Sequence, residues 1–432
     1  NVNIHKIINN LKANNFFHGV LIIASGTIFA QVIPILCTPI LSRLYTPANF
    51  GILGVYISFV SILAGVCSLS YEKAIPLPKD DSDSINLVAV GLLSVALFSF
   101  TVFLILQFCG GSIFKILNSS EIYPFRGLIS LSLLGIGFYT VLTYWALRRK
   151  NFSNLARTKV TQSSGQIIGQ VILGFIGMKT LGLLIGDVIG RLLGIGTLLK
   201  ITIQQDKNLF SEIRIHRIKA VAIRYKNFPL ITNWANLLHF AAGTVPTLLF
   251  AALFGSQVAG WFMFGARIIS LPIGVVGGSI AQVFLSEAAT LARQDPRLLL
   301  AMFNKTVKNL FMIGIIPSII LLVSSPWLFS IVFGAVWREA GVYITICAIS
   351  IFIQFIVGPV FSIINILEQQ KWQLSCDALG MFLVLVGIFM SYFLEWPARV
   401  AVALYAIAVS IMYLSLLIMS KKAINNVLAK YV

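Results

Sequence analysis

Residues 85–108 contain no ionisable side chain, and apolar runs of this kind recur along the whole chain. About 20 such residues span the ~30 Å hydrocarbon core of a bilayer. No water is available there, so every backbone N–H and C=O must pair within the protein. A helix meets that demand within one segment, and the period-two alternation of a membrane β-barrel is missing from these runs. Twelve runs are read: 20–44, 50–70, 85–108, 123–147, 154–177, 180–203, 229–253, 257–285, 308–333, 341–366, 373–394 and 399–419. The expected fold is an all-α integral membrane protein with 12 transmembrane helices. A hydrophobic share of 58%, a charged share of 11% and a mean hydropathy of +0.92 exclude an ordinary soluble domain.

The net charge of +18 suggests nucleic acid until it is mapped. Most of the excess lies in short connections between runs, where the positive-inside rule expects it. With the N-terminus inside, 24 of the 32 Lys and Arg residues fall on the cytoplasmic side and six on the other, leaving Arg191 and Arg267 near the middle of runs. Lys159 is counted with the cytoplasmic set. Both termini are therefore expected in the cytoplasm, and nucleic acid is not expected as a partner.

The longest connection, residues 204–228, is basic and partly amphipathic, as expected of a surface helix on an anionic leaflet. It divides the chain into an N-terminal six-helix lobe (1–203), a cytoplasmic basic linker (204–228) and a C-terminal six-helix lobe (229–432). A weak internal repeat agrees. LYTPANFGILGVYISFVSILAG from Leu44 resembles LFGSQVAGWFMFGARIISLPIG from Leu253, with Pro34 and Pro246 in the preceding runs. Six spans separate the copies, so the halves should relate by a pseudo-two-fold axis along the membrane normal.

An ionised side chain at bilayer depth costs ~3 kcal/mol on insertion scales, so it usually faces a cavity or a partner. Arg267 lies about eleven residues into its run, roughly 16 Å at helical rise. Its guanidinium offers a fork of donors that suits phosphate oxygens. Arg191 follows Asp187 by one turn, beside a glycine ridge of Gly182, Gly186, Gly190 and Gly194. Either the two form a self-neutralised pair at a packing seam, or Asp187 exchanges a proton or ion while Arg191 changes partners. Thr158, Gln162, Gln166 and Gln170 share one helical face, as interhelical glue or as a wall that bonds sugar hydroxyls. Asn233, Asn236 and His239 fit either role. Glu72 and Lys73 could gate the cytoplasmic mouth or form a solvated ion pair, and Asp377 is the weakest candidate. The five cysteines and four histidines show no metal-ligand spacing, and neither a nucleophile with its base nor a phosphate-cradling GxxxxGK[ST] is present. An enzyme is not expected.

The stretch ASGTIFAQVIPILCTPILSRLYTPANFGILGVY, followed by SLSYEKAIPLPKDD, resembles the N-terminal signature of bacterial polysaccharide exporters. These are the O-antigen and capsule flippases (Wzx-type) of the multidrug/oligosaccharidyl-lipid/polysaccharide (MOP) superfamily. LFGSQVAGWFMFGARIISLPIGVVGGSIAQVFLSEAA is similar to the family's eighth-span segment. The resemblance implies two lobes around a central V-shaped cavity. It also implies a cargo of undecaprenyl diphosphate carrying one oligosaccharide unit, moved outward across the bacterial inner membrane. Arg267 matches a basic cavity position and Arg43 the family's first-span arginine. No cofactor is implied, while coupling to membrane potential, H+ or Na+ stays open. Polymerase and chain-length regulator are expected pathway partners. Lipid II flippases carry an Arg-Asp pair where this chain has Cys37-Thr38, which lowers that reading. The alternatives are a multidrug/cation antiporter of the same superfamily and a polymerase-type membrane enzyme.

Overall fold

The computed structural model describes residues 25–294, 296–367 and 369–431. The described residues are helical throughout, with no strand. Fourteen helices follow in order: α1 (Ser25–Leu44), α2 (Pro47–Ala64), α3 (Asp81–Ile116), α4 (Arg126–Arg148), α5 (Phe152–Phe175), α6 (Lys179–Asp206), α7 (Ile215–Arg224), α8 (Asn233–Phe254), α9 (Ser256–Gln294), α10 (Pro296–Phe333), α11 (Arg338–Val357), α12 (Ile363–Ile366), α13 (Gln370–Phe393) and α14 (Ala398–Tyr431). Among the described residues, nine helical segments are long and apolar enough to cross a membrane. The three further runs coincide with α5, α8 and α9.

Helix ends depart from the expected spans for identifiable reasons. α3, α9, α10 and α14 continue well past their apolar runs, because a helix keeps its own hydrogen bonds in water as well as in lipid. The expected span 341–366 stops at Val357. Gly358 and Pro359 follow, and proline supplies no N–H to continue the hydrogen-bond ladder. The expected span 50–70 ends at Ala64, after which Leu69 and Ser70 both adopt left-handed backbone (φ 53° and 61°).

The α1–α2 hairpin is locally encoded. Thr46 caps α2, accepting from the Asn49 N–H at 3.3 Å, while Asn49 Oδ1 accepts from the Thr46 N–H at 3.1 Å and Pro47 opens the helix. The corresponding connection between α8 and α9 is the single residue Gly255, whose φ of 90° suits a residue without Cβ. In both copies of the internal repeat a short connection thus joins two helices.

The chain divides into two compact units, Asn1–Ala252 and Leu253–Val432. The division falls one helix after the basic connection, since α8 is tied into the first unit. Asn233 and Asn236 bond Ser70, Asn236 bonds Lys73, Phe240 packs on Gly65, and Asn118 donates to the Ala252 carbonyl.

In the first unit α4, α5 and α6 pack together, with α2 on α4 and α6 and α3 on α4. A core of Cys67, Tyr71, Ile75, Ile85, Val141 and Trp145 lies under α7, which buries Val221 there. At the basic end, Asp81 receives Arg148 at 2.8 Å and Arg149 at 2.7 Å; Arg149 also pairs with Asp206, which accepts from the Trp145 indole at 2.9 Å. The second unit pairs α10 with α11 and α13 with α14, and joins α11 to α14. Phe264 stacks on Trp337 there (centroids 3.9 Å apart), with Phe329 and Phe333 edge-on. Outward apolar side chains such as Phe108 (86% exposed) and Val323 (75%) fit lipid rather than water.

Candidate functional site

The polar interior of the first unit lies along the contact between α5 and α6. Glycines at every fourth position of α6 let α5 approach closely. A Cβ built on Gly190 would lie 2.7 Å from the Gln162 carbonyl oxygen, and one on Gly182 would lie 2.6 Å from the Tyr45 hydroxyl. On Gly186 and Gly194 it would strike Gln170 and Gln162. The glutamine face is therefore packed on the glycine ridge. Gln170 is fully buried and donates to the Leu183 carbonyl at 3.1 Å, while its own backbone carbonyl accepts from Tyr45 at 2.6 Å. Gln162 and Gln166 are half-buried. The Gln170 amide nitrogen thus bonds across the helix pair, while its Oε1 is buried without a hydrogen-bond partner.

Asp187 and Arg191 form a two-point ion pair within α6. Arg191 Nε lies 2.6 Å from Oδ2 and Nη2 lies 3.1 Å from Oδ1. Gln166 adds a third donor to Oδ1 at 3.3 Å. The acid side chain is 6% exposed and the arginine 20%. The Arg191 stem rests on Gly135 of α4, and Tyr56 bonds Ser132 and the Leu128 carbonyl nearby. The two side chains face one another in this conformation.

A second polar cluster lies where the turn after α2 meets α8. Ser70 Oγ donates to Asn233 at 3.2 Å and accepts from Asn236 at 3.0 Å; Lys73 donates to Asn236 at 2.8 Å. Glu72 is buried and accepts from Ser68 at 2.6 Å. Burial raises its pKa above the ordinary carboxylate value, opposed by the Ser68 hydroxyl and by Lys73. Glu72 and Lys73 are adjacent in sequence but engage different partners, so the solvated ion pair is not what forms. The side chain of His239 lies outside the described residues.

Arg267 is half-buried on α9, and its carbonyl accepts from Ser270. Its neighbours Ala266 and Ser270 line a cavity of about 160 Å3 inside the second unit, with Tyr343 and Gln354 of α11 and Tyr405 of α14. Arg43 is exposed at the end of α1, away from the buried groups. Arg267, Arg191 and Arg43 are therefore in three different settings.

One functional candidate escaped the sequence reading. Lys159, counted there with the cytoplasmic charges, lies within α5 on the same face as Gln162, Gln166 and Gln170, and donates to Thr27 of α1 at 2.7 Å. Its spacing to Gln162, Gln166 and Gln170 was the available signal. Among the described residues no group of three His, Cys, Asp or Glu side chains could hold a metal ion.

The fold has known counterparts. An inward-facing MATE family transporter of the MOP superfamily superposes with a TM-score of 0.71 at 12% identity, over 93% of this chain and 96% of that one. The lipid II flippase MurJ in an inward closed conformation gives 0.69 at 13% identity, over 94% and 90%. A MOP superfamily transporter from Pyrococcus furiosus gives 0.59 at 10% identity, over 95% and 96%. These similarities define the class: a polytopic membrane protein with the MOP transporter fold. No protein of curated function matches the chain. The sequence matches the family described as polysaccharide biosynthesis protein over residues 40–342, and the chain belongs to that family. The fold is the one that the MATE transporter and the MurJ flippase share, and the family's description is polysaccharide biosynthesis.

Proposed function

We propose that the protein is a flippase that carries undecaprenyl-diphosphate-linked oligosaccharide units of O-antigen or capsule across the bacterial inner membrane, from the cytoplasmic to the periplasmic leaflet. The family match over residues 40–342 carries this reading, since it joins the MOP fold to polysaccharide assembly. The basic bias of the connections supports termini in the cytoplasm. Two arginines within the spanning helices favour an anionic cargo over a cationic drug, since a cation binder needs acids where the diphosphate needs donors. In this reading the two units open alternately to either side. Arg267 engages the diphosphate, Arg191 joins it when released from Asp187, and Arg43 receives the cargo at the outer end. The buried Asn233, Asn236 and Glu72–Lys73 cluster gates the inner end. Membrane potential drives the step, with H+ or Na+ as the alternative coupling, and the polymerase and chain-length regulator of the pathway take up the product.

The test is leaflet translocation in proteoliposomes holding labelled undecaprenyl-diphosphate oligosaccharide, read by an impermeant sugar-modifying reagent. Wild type is expected to move the lipid and a folded Arg267→Ala variant to lose most of that activity. Equal transport by the variant removes Arg267 from the site. Absence of movement by wild type under imposed potential and ion gradients favours the multidrug/cation antiporter.

A further inference from the structure

The side chains exposed on α5, Arg157, Ile168, Ile172 and Phe175, mark its lipid-facing side. Lys159 lies opposite them, on the interior face with Gln162, Gln166 and Gln170. It is seven residues inside the helix, about 10 Å from its start at helical rise. The ammonium is half-buried, and its one described hydrogen-bond partner is neutral, the Thr27 hydroxyl. α1 crosses α5 here so closely that a Cβ on Gly26 would lie 2.8 Å from the Ala156 Cα. One turn beyond Thr27 on α1, the Gln31 Oε1 is buried without a hydrogen-bond partner. Buried amide oxygens are rarely left unsatisfied, so Gln31 Oε1 is open to a donor from outside the chain.

We propose that Lys159, Thr27 and Gln31 form a binding site for a phosphate–sugar junction at the α1–α5 crossing. The lysine and threonine donate to phosphate oxygens, and Gln31 Oε1 accepts from an adjoining sugar hydroxyl. Given the diphosphate cargo proposed above, on which this inference rests, the site takes the headgroup near the basic end of the first unit, before it reaches Arg267.

The experiment uses the full chain in detergent micelles titrated with two probes, farnesyl diphosphate and uncharged farnesol. Wild type is expected to prefer the diphosphate. Lys159→Gln should weaken farnesyl diphosphate about tenfold and leave farnesol unchanged, while Lys159→Arg stays within about threefold of wild type. Undiminished diphosphate binding by Lys159→Gln, with Arg267→Gln weakened, overturns this site and leaves the flippase reading standing. No preference for diphosphate by wild type overturns the anionic-cargo reading and this site with it. Thr27→Val keeps the lysine charge but removes a phosphate donor, and is expected to weaken farnesyl diphosphate less than Lys159→Gln does while leaving farnesol unchanged. Equal loss of both probes in Lys159→Gln and Thr27→Val shows a purely structural tie between α1 and α5, and overturns the proposal.

Discussion

Within α6, the charge of Arg191 is balanced by a carboxylate one turn away, and that closure sets what substitution does. Asp187→Asn leaves the guanidinium enclosed without its counter-charge, so stability falls by on the order of 3 kcal/mol. Replacing both, as Asp187→Asn with Arg191→Gln, recovers most of the loss, and thermal unfolding of the three variants in one detergent reads the difference. Glu72 gives a pH-dependent counterpart. Its folded pKa lies above the unfolded value, so the folded state binds more protons between the two, and stability declines as pH rises from the ordinary carboxylate range near ~4.3 toward the raised value. Glu72→Gln removes that slope. The variant should gain stability over wild type on going from roughly pH 5 to roughly pH 8, and parallel melting curves would contradict the assignment. The Asp187–Arg191 pair was legible from its i, i+4 spacing. Lys159 was not, because a charge five residues into the run 154–177 counts toward the cytoplasmic side until its partner on another helix is known.

The helices themselves were legible because lipid imposes one requirement on every segment, and each apolar run answers it. Their ends were less so. α10 runs from Pro296 through Lys305 and Lys308, where hydropathy is silent because that part of the helix is polar. The stop at Val357 was written in Gly358 and Pro359, but the apolar residues beyond them masked it. The glutamine stripe kept two readings in the sequence, since one helical face cannot name its partner; the glycine ridge of α6 names it. That seam predicts a sharp contrast. Gly190→Ala must push a Cβ against the backbone of Gln162 and should cost about 1–3 kcal/mol. Gly196→Ala in the same helix, with nothing within 4 Å, should be neutral or slightly stabilising. Melting temperatures of the pair check it, and equal loss at both positions would contradict the seam.

For the molecule as a whole, the charge of the proposed cargo makes the driving force measurable. A diphosphate with about two negative charges gains ~2.3 kcal/mol per charge for each 100 mV when it moves outward from an inside-negative compartment. Proteoliposomes with a potassium diffusion potential should therefore translocate faster than those clamped at zero potential with a pH gradient kept; indifference to the potential would leave ion antiport as the drive. Whatever the drive, the α5–α6 seam has a consequence for watching the cycle. Helices joined by glycine-to-glutamine contact along three successive turns cannot slide without breaking all of them, so they travel as a single part. Two spin or fluorescent labels on outward residues Ile168 and Leu192 would hold one separation through every state, giving a built-in ruler against which the motion of any third label can be calibrated.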